Sequence, residues 1–294
     1  MHYRLRQIAA TLLALTALVA AGCGDDDSGS AGSTQQQAKA PVILATTTST
    51  QDSGLLDVLI PAFEKASGYS VKTVAVGSGQ AIEMGARGEA DVVLAHSPAA
   101  EEEFMASGKG GSRRVVMHND FVILGPAADP AKAKGRDALE AMARIARARA
   151  PFVSRGDDSG THTLELKLWE QAKVEPKGSW YQESGQGMGA TLQIANDKDA
   201  YVLTDRGTYL ATDNAKDLEL LVEGSSELLN VYHVMDVAPS AGERVNAAGG
   251  KAFADWIVSP EAQDIIRTFG EDRFGEPLFV PDAGKTDEEM EAAA

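Results

Sequence analysis

Four short stretches concentrate small hydrogen-bond donors: Thr46-Thr47-Thr48-Ser49-Thr50, Gly77-Ser78-Gly79-Gln80, Ser154-Arg155-Gly156-Asp157-Asp158-Ser159-Gly160-Thr161 and Gly185-Gln186-Gly187-Met188-Gly189-Ala190-Thr191. Each falls between an expected strand and an expected helix. The first N–H groups of a helix have no partner inside it and carry its positive dipole end, so such a junction can seat an anion. Glycine lets the backbone come close to a ligand, and Ser and Thr hydroxyls add donors that rotate to suit it. Arg155 contributes a fixed charge whose planar fork matches two oxygens of a tetrahedral anion. Each stretch also has a plainer reading. The threonine run could cap a helix, Gly77-Ser78-Gly79 and Gly185–Gly189 could be turns, and Arg155 could pair with Asp157 or Asp158. Recurrence of one chemistry at equivalent places favours anion binding.

The elements that must hold these stretches alternate. Strands are expected over Pro41–Ala45, Val71–Val76, Asp91–Ala95, Val115–Gly125, Pro151–Ser154, Ala200–Thr204, Leu218–Val222 and Val231–Val237. Between and after them come helical patterns over 81–87, 99–106, 138–148, 162–172, 189–196, 247–256 and 260–269. Leu55, Leu59 and Phe63, with Leu56 and Ile60 beside them, make a further helix face that stops near Gly68, and Pro61 should kink or divide it. Strand–helix alternation of this kind predicts an α/β fold, a mostly parallel sheet with helices on both faces. In such sheets ligands sit beyond the carboxyl ends of the strands, where all four stretches would lie.

Several function classes are disfavoured. The nucleophile-elbow pattern G-x-S-x-G is absent, and the five histidines, His2, His96, His118, His162 and His233, are scattered. His162 lies three residues after Ser159, where a helix start turns it along the chain rather than behind the hydroxyl. Serine-type hydrolysis is therefore a remote alternative, and the reading is binding rather than catalysis. No G-x-x-x-x-G-K-[ST] occurs, so Gly77-Ser78-Gly79 is not a nucleotide loop. Cation ligation wants clustered His or Cys, or converging carboxylates; the acidic pair Asp157-Asp158 has Arg155 beside it. No cofactor and no metal are expected. The formal charge of −16 argues against nucleic acid. It does not oppose an anion site, because a buried seat is governed by the donors lining it rather than by screened surface charge.

The N-terminal region carries an address. Arg4 and Arg6 precede an apolar run from Ile8 to Ala21, which then reads Ala20-Ala21-Gly22-Cys23. A basic start, a short apolar centre and small exit residues describe an export signal over residues 1–22, too short to span a bilayer comfortably. Ending on the chain's one cysteine resembles a bacterial lipobox, with Cys23 lipidated and the protein held at the outer face of the cytoplasmic membrane. Residues 23–40 are polar and small, which predicts a flexible tether. The tail over 283–294 is expected to fray.

Six strings carry a more specific likeness: ILATTTSTQDSGLLDVLIPAFEKASGY, VAVGSGQAIEMGARGEADVVLAHSP, NDFVILGPAADP, PFVSRGDDSGTH, YQESGQGMGATL and YVLTDRGTYL. In order and spacing they resemble the tungstate-binding proteins of ABC importers, over nearly the whole body. The resemblance implies a two-lobed periplasmic-binding-protein fold of type II that closes on an oxyanion. It implies lobes over 41–124 plus 237–282 and over 125–236, with hinge crossings near Phe121–Gly125 and Tyr232–Ala238. The family's oxyanion contacts map onto Thr46, Thr47, Thr48 and Ser49, Ser78, Arg155, and Ser159, Gly160 and Thr161. Thr47, Ser78, Arg155 and Thr161 are the foremost of these. Tungstate is the expected ligand, with molybdate, sulfate or phosphate as alternatives in the same architecture. The implied partners are a membrane permease and its ATPase, with the protein itself a monomer. A fully deprotonated dianion would be repelled by a carboxylate, so Asp157 and Asp158 are expected to point away and brace their loop.

Overall fold

Short β-branched runs alternate with amphipathic helices along residues 39–293, the part of the chain that the computed structural model describes. The leader over 1–22, Cys23 and nearly all of the tether over 23–40 lie outside the described residues. From the N-terminal side the elements are β1 (Val42–Thr47), α1 (Thr48–Asp52), α2 (Leu56–Ser67), β2 (Val71–Val76), α3 (Ser78–Ala86), β3 (Val92–Ala95), α4 (Pro98–Ala106) and β4 (Gly110–Pro126). The middle of the chain supplies α5 (Ala138–Ala148), β5 (Phe152–Ser154), α6 (Gly160–Gln171), β6 (Tyr181–Glu183), α7 (Met188–Asp197), β7 (Tyr201–Asp205), α8 (Arg206–Ala211) and β8 (Leu218–Val222). After a short 3₁₀ turn come β9 (Leu229–Val237), α9 (Ala247–Ile257), α10 (Pro260–Thr268), α11 (Glu271–Phe274), β10 (Val280–Pro281) and α12 (Asp287–Ala293).

Local signals explain most of these. In α2 the buried Leu56, Leu59 and Phe63 lie three and four apart, and the helix stops where Gly68 turns left-handed at φ 72°. It runs unbroken through Pro61, so of the expected kink or division the division does not occur. In α5 the Asp137 side chain accepts from the Glu140 N–H at 2.8 Å, and Ala138, Ala141, Met142 and Ile145 form its buried stripe. Thr46 and Thr47, expected in a loop, end β1, while Thr48 and Ser49 open α1.

The strands form two lobes joined through one long strand. In the first lobe β1 lies between β2 and β3, parallel to both, and β9 runs antiparallel between β3 and the first part of β4. In the second, β5 lies between β6 and β7, parallel to both, and the last part of β4 runs antiparallel to β7 and β8. Each sheet carries an apolar cluster on both faces, as strands buried on two sides require.

The first change of sheet falls at the edge of the expected hinge, and the second falls before the expected one. On β4, Asp120 still pairs with Leu229 of β9, whereas Phe121 to Leu124 pair with β7. The first crossing is thus at Asp120/Phe121, at the start of the expected hinge of Phe121–Gly125 and a few residues before the expected lobe boundary at Leu124. The return lies between Val222 of β8 and Leu229, because all of β9 pairs within the first sheet. Residues 229–236, assigned to the second lobe from sequence, therefore belong to the first. Arg206, opening α8, grips Asp120 at the crossing through Nε and Nη2, both at 2.7 Å.

The tail is also corrected. Thr286 and Glu289 form a reciprocal capping box, with Thr286 N donating to Glu289 Oε2 at 2.8 Å and Glu289 N donating to Thr286 Oγ1 at 3.2 Å. Asp287 joins Arg113 and the buried His233, which also contact the buried Glu101, and Met290 is buried. Residues 287–293 are a docked helix, not a frayed end. No described helix is long and apolar enough to cross a membrane.

One packing contact is tight enough to test. A Cβ placed on Gly250 of α9 would stand 2.0 Å from the Asp91 carbonyl oxygen at the start of β3. Gly250→Ala must push the helix off the sheet, and we expect it to cost about 1–3 kcal/mol in urea unfolding, the scale of core overpacking.

Candidate functional site

The loops at the carboxyl ends of β1, β2 and β3 meet those at the carboxyl ends of β5 and β6. On the first lobe, Thr47 is the N-cap of α1, accepting from the Thr50 N–H at 3.2 Å, and its hydroxyl contacts Ser49 Oγ at 3.0 Å and Thr50 Oγ1 at 2.7 Å. All three residues are buried. Ser49 Oγ continues to His96 Nε2 at 3.3 Å. Thr46 is different: its hydroxyl donates to the Leu94 carbonyl of β3 at 2.9 Å, so its hydrogen is used inside the sheet. Ser78 opens α3 behind an N-cap, Gly77, that has no side chain to offer the helix end. Its hydroxyl is buried with no hydrogen-bond partner among the described residues.

On the second lobe the loop after β5 folds tightly around its own charges. Gly156 and Asp158 both take positive φ, at 58° and 56°. Arg155 is only 2 % exposed. Its Nε donates to the Gln186 carbonyl at 2.8 Å, and Nη2 donates to the Asp157 carboxylate and, at the long limit of 3.5 Å, to Thr48 Oγ1 across the cleft. Asp157 also accepts from the Ser159 N–H at 3.3 Å. The expectation that both acids point away therefore divides. Asp158 has a side chain 98 % exposed, whereas Asp157 turns inward onto Arg155 while bracing the loop. Ser159 is the N-cap of α6, its Oγ accepting from the His162 N–H at 3.2 Å, which leaves the hydroxyl hydrogen free to donate. Thr161, one residue into that helix, has a buried hydroxyl with no partner among the described residues.

These loops touch. A Cβ on Gly77 would lie 3.5 Å from Ser159 Cα, and one on Gly79 would lie 3.2 Å from the Asp158 carbonyl oxygen. One on Gly187 would lie 3.3 Å from Thr48 Cγ2. Gly160 has no room at all, since its Cβ would stand 2.6 Å from the His96 carbonyl oxygen. Glycine at these positions is what lets two helix N-termini of opposite lobes, those of α3 and α6, come face to face. Ser78, Arg155, Ser159, Gly160 and Thr161 thus gather at one interface with Thr47, Thr48 and Ser49, and Thr46 stays in the sheet. Among the described residues no group of three His, Cys, Asp or Glu side chains could hold a metal ion.

Comparison with known proteins identifies the family. Residues 29–261 match the model of a PBP superfamily domain. This chain belongs to the PBP superfamily. Among curated proteins it is 48% identical over 278 residues to the tungstate-binding protein TupA of Peptoclostridium acidaminophilum, covering 94% of this chain and 97% of that one. TupA of Campylobacter jejuni is 43% identical over 240 residues, covering 80% and 88%. Among solved structures, the tungstate ABC transporter protein from Geobacter sulfurreducens is 47% identical, with a TM-score of 0.72 over 78% of this chain and 98% of that one. TupA from Desulfovibrio alaskensis is 43% identical, with a TM-score of 0.69 over 83% and 100%.

In this PBP-superfamily protein two buried groups beside the site, His96 and Asp205, were not among the expected site residues. His96 follows β3, the same topological place as the loops after β1 and β2, and that position was its available signal. Its ring lies 4.7 Å from that of Tyr232. Asp205 ends β7 and caps α8, accepting from the Thr208 N–H and hydroxyl, each at 2.8 Å. Burial pushes its carboxyl up, with the Thr208 bonds and the Arg155 charge opposing.

Burial and the nearby Arg155 charge push the His96 imidazole down to about 3. Unfolding returns it to about 6.5, so between those values the unfolded chain binds the extra proton. This contribution to stability is complete above about pH 6.5 and is lost as pH falls toward 3. His96→Gln should flatten the fall of unfolding free energy between about pH 4 and 6 by up to about 1.4 kcal/mol per pH unit, read from urea titrations. Ser78→Ala removes a buried hydroxyl that lacks a partner. We expect the ligand-free protein to be unchanged or about 1 kcal/mol more stable, because the desolvation cost of the unpaired group disappears.

Proposed function

We propose that the protein captures a tetrahedral oxyanion, tungstate foremost, by closing its two lobes on it and delivers it to an ABC importer. One observation carries this reading: the buried, partnerless hydroxyls of Ser78 and Thr161 open two helices of opposite lobes, with the buried Arg155 guanidinium beside them. Two positive dipole ends and a cation brought this close favour a compact negative charge between them. Closure excludes water, and that strengthens each charge-assisted bond to the ion. The contacts are Thr47, Thr48 and Ser49 with Ser78 from one lobe, and Arg155, Ser159, Gly160 and Thr161 from the other.

Tungstate leads because proteins bearing that name match most of the chain. Molybdate has the same charge and shape. Phosphate at neutral pH keeps a proton and would welcome a free carboxylate, and Asp157, in contact with Arg155, is a candidate to supply it. Its oxygens already accept from Arg155 and from the Ser159 N–H, which favours a dianion with no proton to donate. Catalysis has little to work with. Ser49 and His96 are in contact, but a base pushed down to about 3 is poorly matched to neutral pH. Its Nδ1 has no partner to orient the ring among the described residues. Export with a lipid anchor at Cys23, a monomeric state, and a permease with its ATPase as partners complete the proposal.

Thermal denaturation with tungstate, molybdate, sulfate and phosphate in turn tests it. An anion far above its dissociation constant stabilises the folded protein by several kcal/mol, so we expect a large rise with tungstate. No rise with any of the four refutes oxyanion capture. Arg155→Ala should weaken tungstate binding by about 2–5 kcal/mol on calorimetry, the scale for removing one member of a buried charge pair; wild-type affinity would remove Arg155 from the site.

A further inference from the structure

We propose that Asp52 is a positioning residue that latches the closed form from outside the anion seat, by capping a helix of the opposite lobe. This rests on the anion-capture reading. Asp52 ends α1 on the first lobe, and its Oδ2 accepts from the Gly189 N–H at 3.2 Å. Gly189 is the second residue of α7 on the second lobe, and the N-cap of α7 is Gly187, with no side chain to satisfy the helix end. The cap that α7 lacks in its own sequence therefore arrives from the other lobe.

The fit at this point is close. A Cβ on Gly189 would stand 3.1 Å from Asp52 Oδ2 and 3.4 Å from Asn214 Nδ2. Asn214 Nδ2 donates to the Gly189 carbonyl at 3.0 Å, so residue 189 is held through its N–H by one lobe and through its C=O by its own. Burial pushes the Asp52 carboxyl up, while the Gly189 N–H and the Arg155 charge oppose that shift. Arg155 and the positive end of α7 are thus the charges that this carboxylate meets.

Most helix caps are built within one lobe and contribute equally to every conformation. This one forms only where the lobes meet, so its free energy acts on the equilibrium between open and closed forms. When the lobes part, Asp52 is rehydrated and the α7 N-terminus loses its side-chain cap. Asp52 need not touch the ion to slow its escape.

The test compares wild type, Asp52→Ala and Asp52→Asn by stopped-flow with tungstate. Fluorescent labels, one on each lobe, report the distance between lobes with and without the ion. Asp52→Ala should speed tungstate release about tenfold, with association changed less than about twofold, since loss of a cap acts on the closed complex. Asparagine keeps an acceptor oxygen, so Asp52→Asn should stay within about threefold of wild type. The ligand-free unfolding temperature should not change, which separates a latch from a general structural role. The ligand-free closed population should fall in Asp52→Ala, a readout that stands even if wild type takes up no oxyanion. Unchanged release and unchanged closed population in Asp52→Ala would overturn the latch. So would a drop in ligand-free stability large enough to account for the faster release. Failure of wild type to bind any oxyanion would overturn the capture reading instead.

Discussion

The positive N-terminal ends of α3 and α6 face each other across the interface of two lobes, with the Arg155 guanidinium buried beside them. Like-signed dipole ends at such range repel, and a desolvated guanidinium needs compensation. The closed arrangement is therefore poised for a negative charge between the lobes. The chain's acidic balance does not supply it, because surface carboxylates are hydrated and screened. Within the protein the nearest compensation is Asp157, which holds Arg155 and the Ser159 N–H of its own loop. An ion entering here meets a loop already braced, so it gains contacts without the cost of ordering the loop.

Everything else at the interface serves that approach. Gly77, Gly79, Gly160 and Gly187 remove the side chains that would hold the loops apart. The hydroxyls of Thr47, Ser49 and Thr50 form a short buried chain whose hydrogens can reorient toward an anion. Both crossings between lobes lie on strands of the first sheet or at their ends, where Asp120 and Arg206 clasp each other. Under the capture proposal, motion of one lobe against the other would turn on a few residues around Asp120 and Phe121 and around Val222 to Leu229, while each core stays packed.

Much of this was legible from local pattern. The apolar stripes of α2 and α5 and the β-branched runs of β1, β2 and β8 lie where period and composition place them. The glycine- and hydroxyl-rich junctions mark where helix ends gather. What escaped is what local pattern does not contain. Five-residue α1 and six-residue α8 are too short to show a period. The lobe to which β9 belongs is decided by pairing with β3 and β4, both more than a hundred residues away along the chain at their contacts. The end of the chain reads as polar, and α12 is held by Asp287 reaching buried partners that no window of sequence reveals. Its capping box, Thr286 to Glu289, was a signal in plain view. The inward turn of Asp157 likewise depends on left-handed backbone at Gly156 and Asp158, and His96 belongs to no histidine cluster and shows its place only by following β3.

Where the ion sits decides whether the two lobes capture it together. A crystal of the tungstate-loaded protein, measured at the tungsten absorption edge, locates the metal directly through its anomalous signal. We expect one strong peak between α3 and α6, with oxygens about 3 Å from Ser78 Oγ, Thr161 Oγ1 and the Arg155 guanidinium together. A peak bound by one lobe alone, or at a surface remote from those three groups, would contradict it.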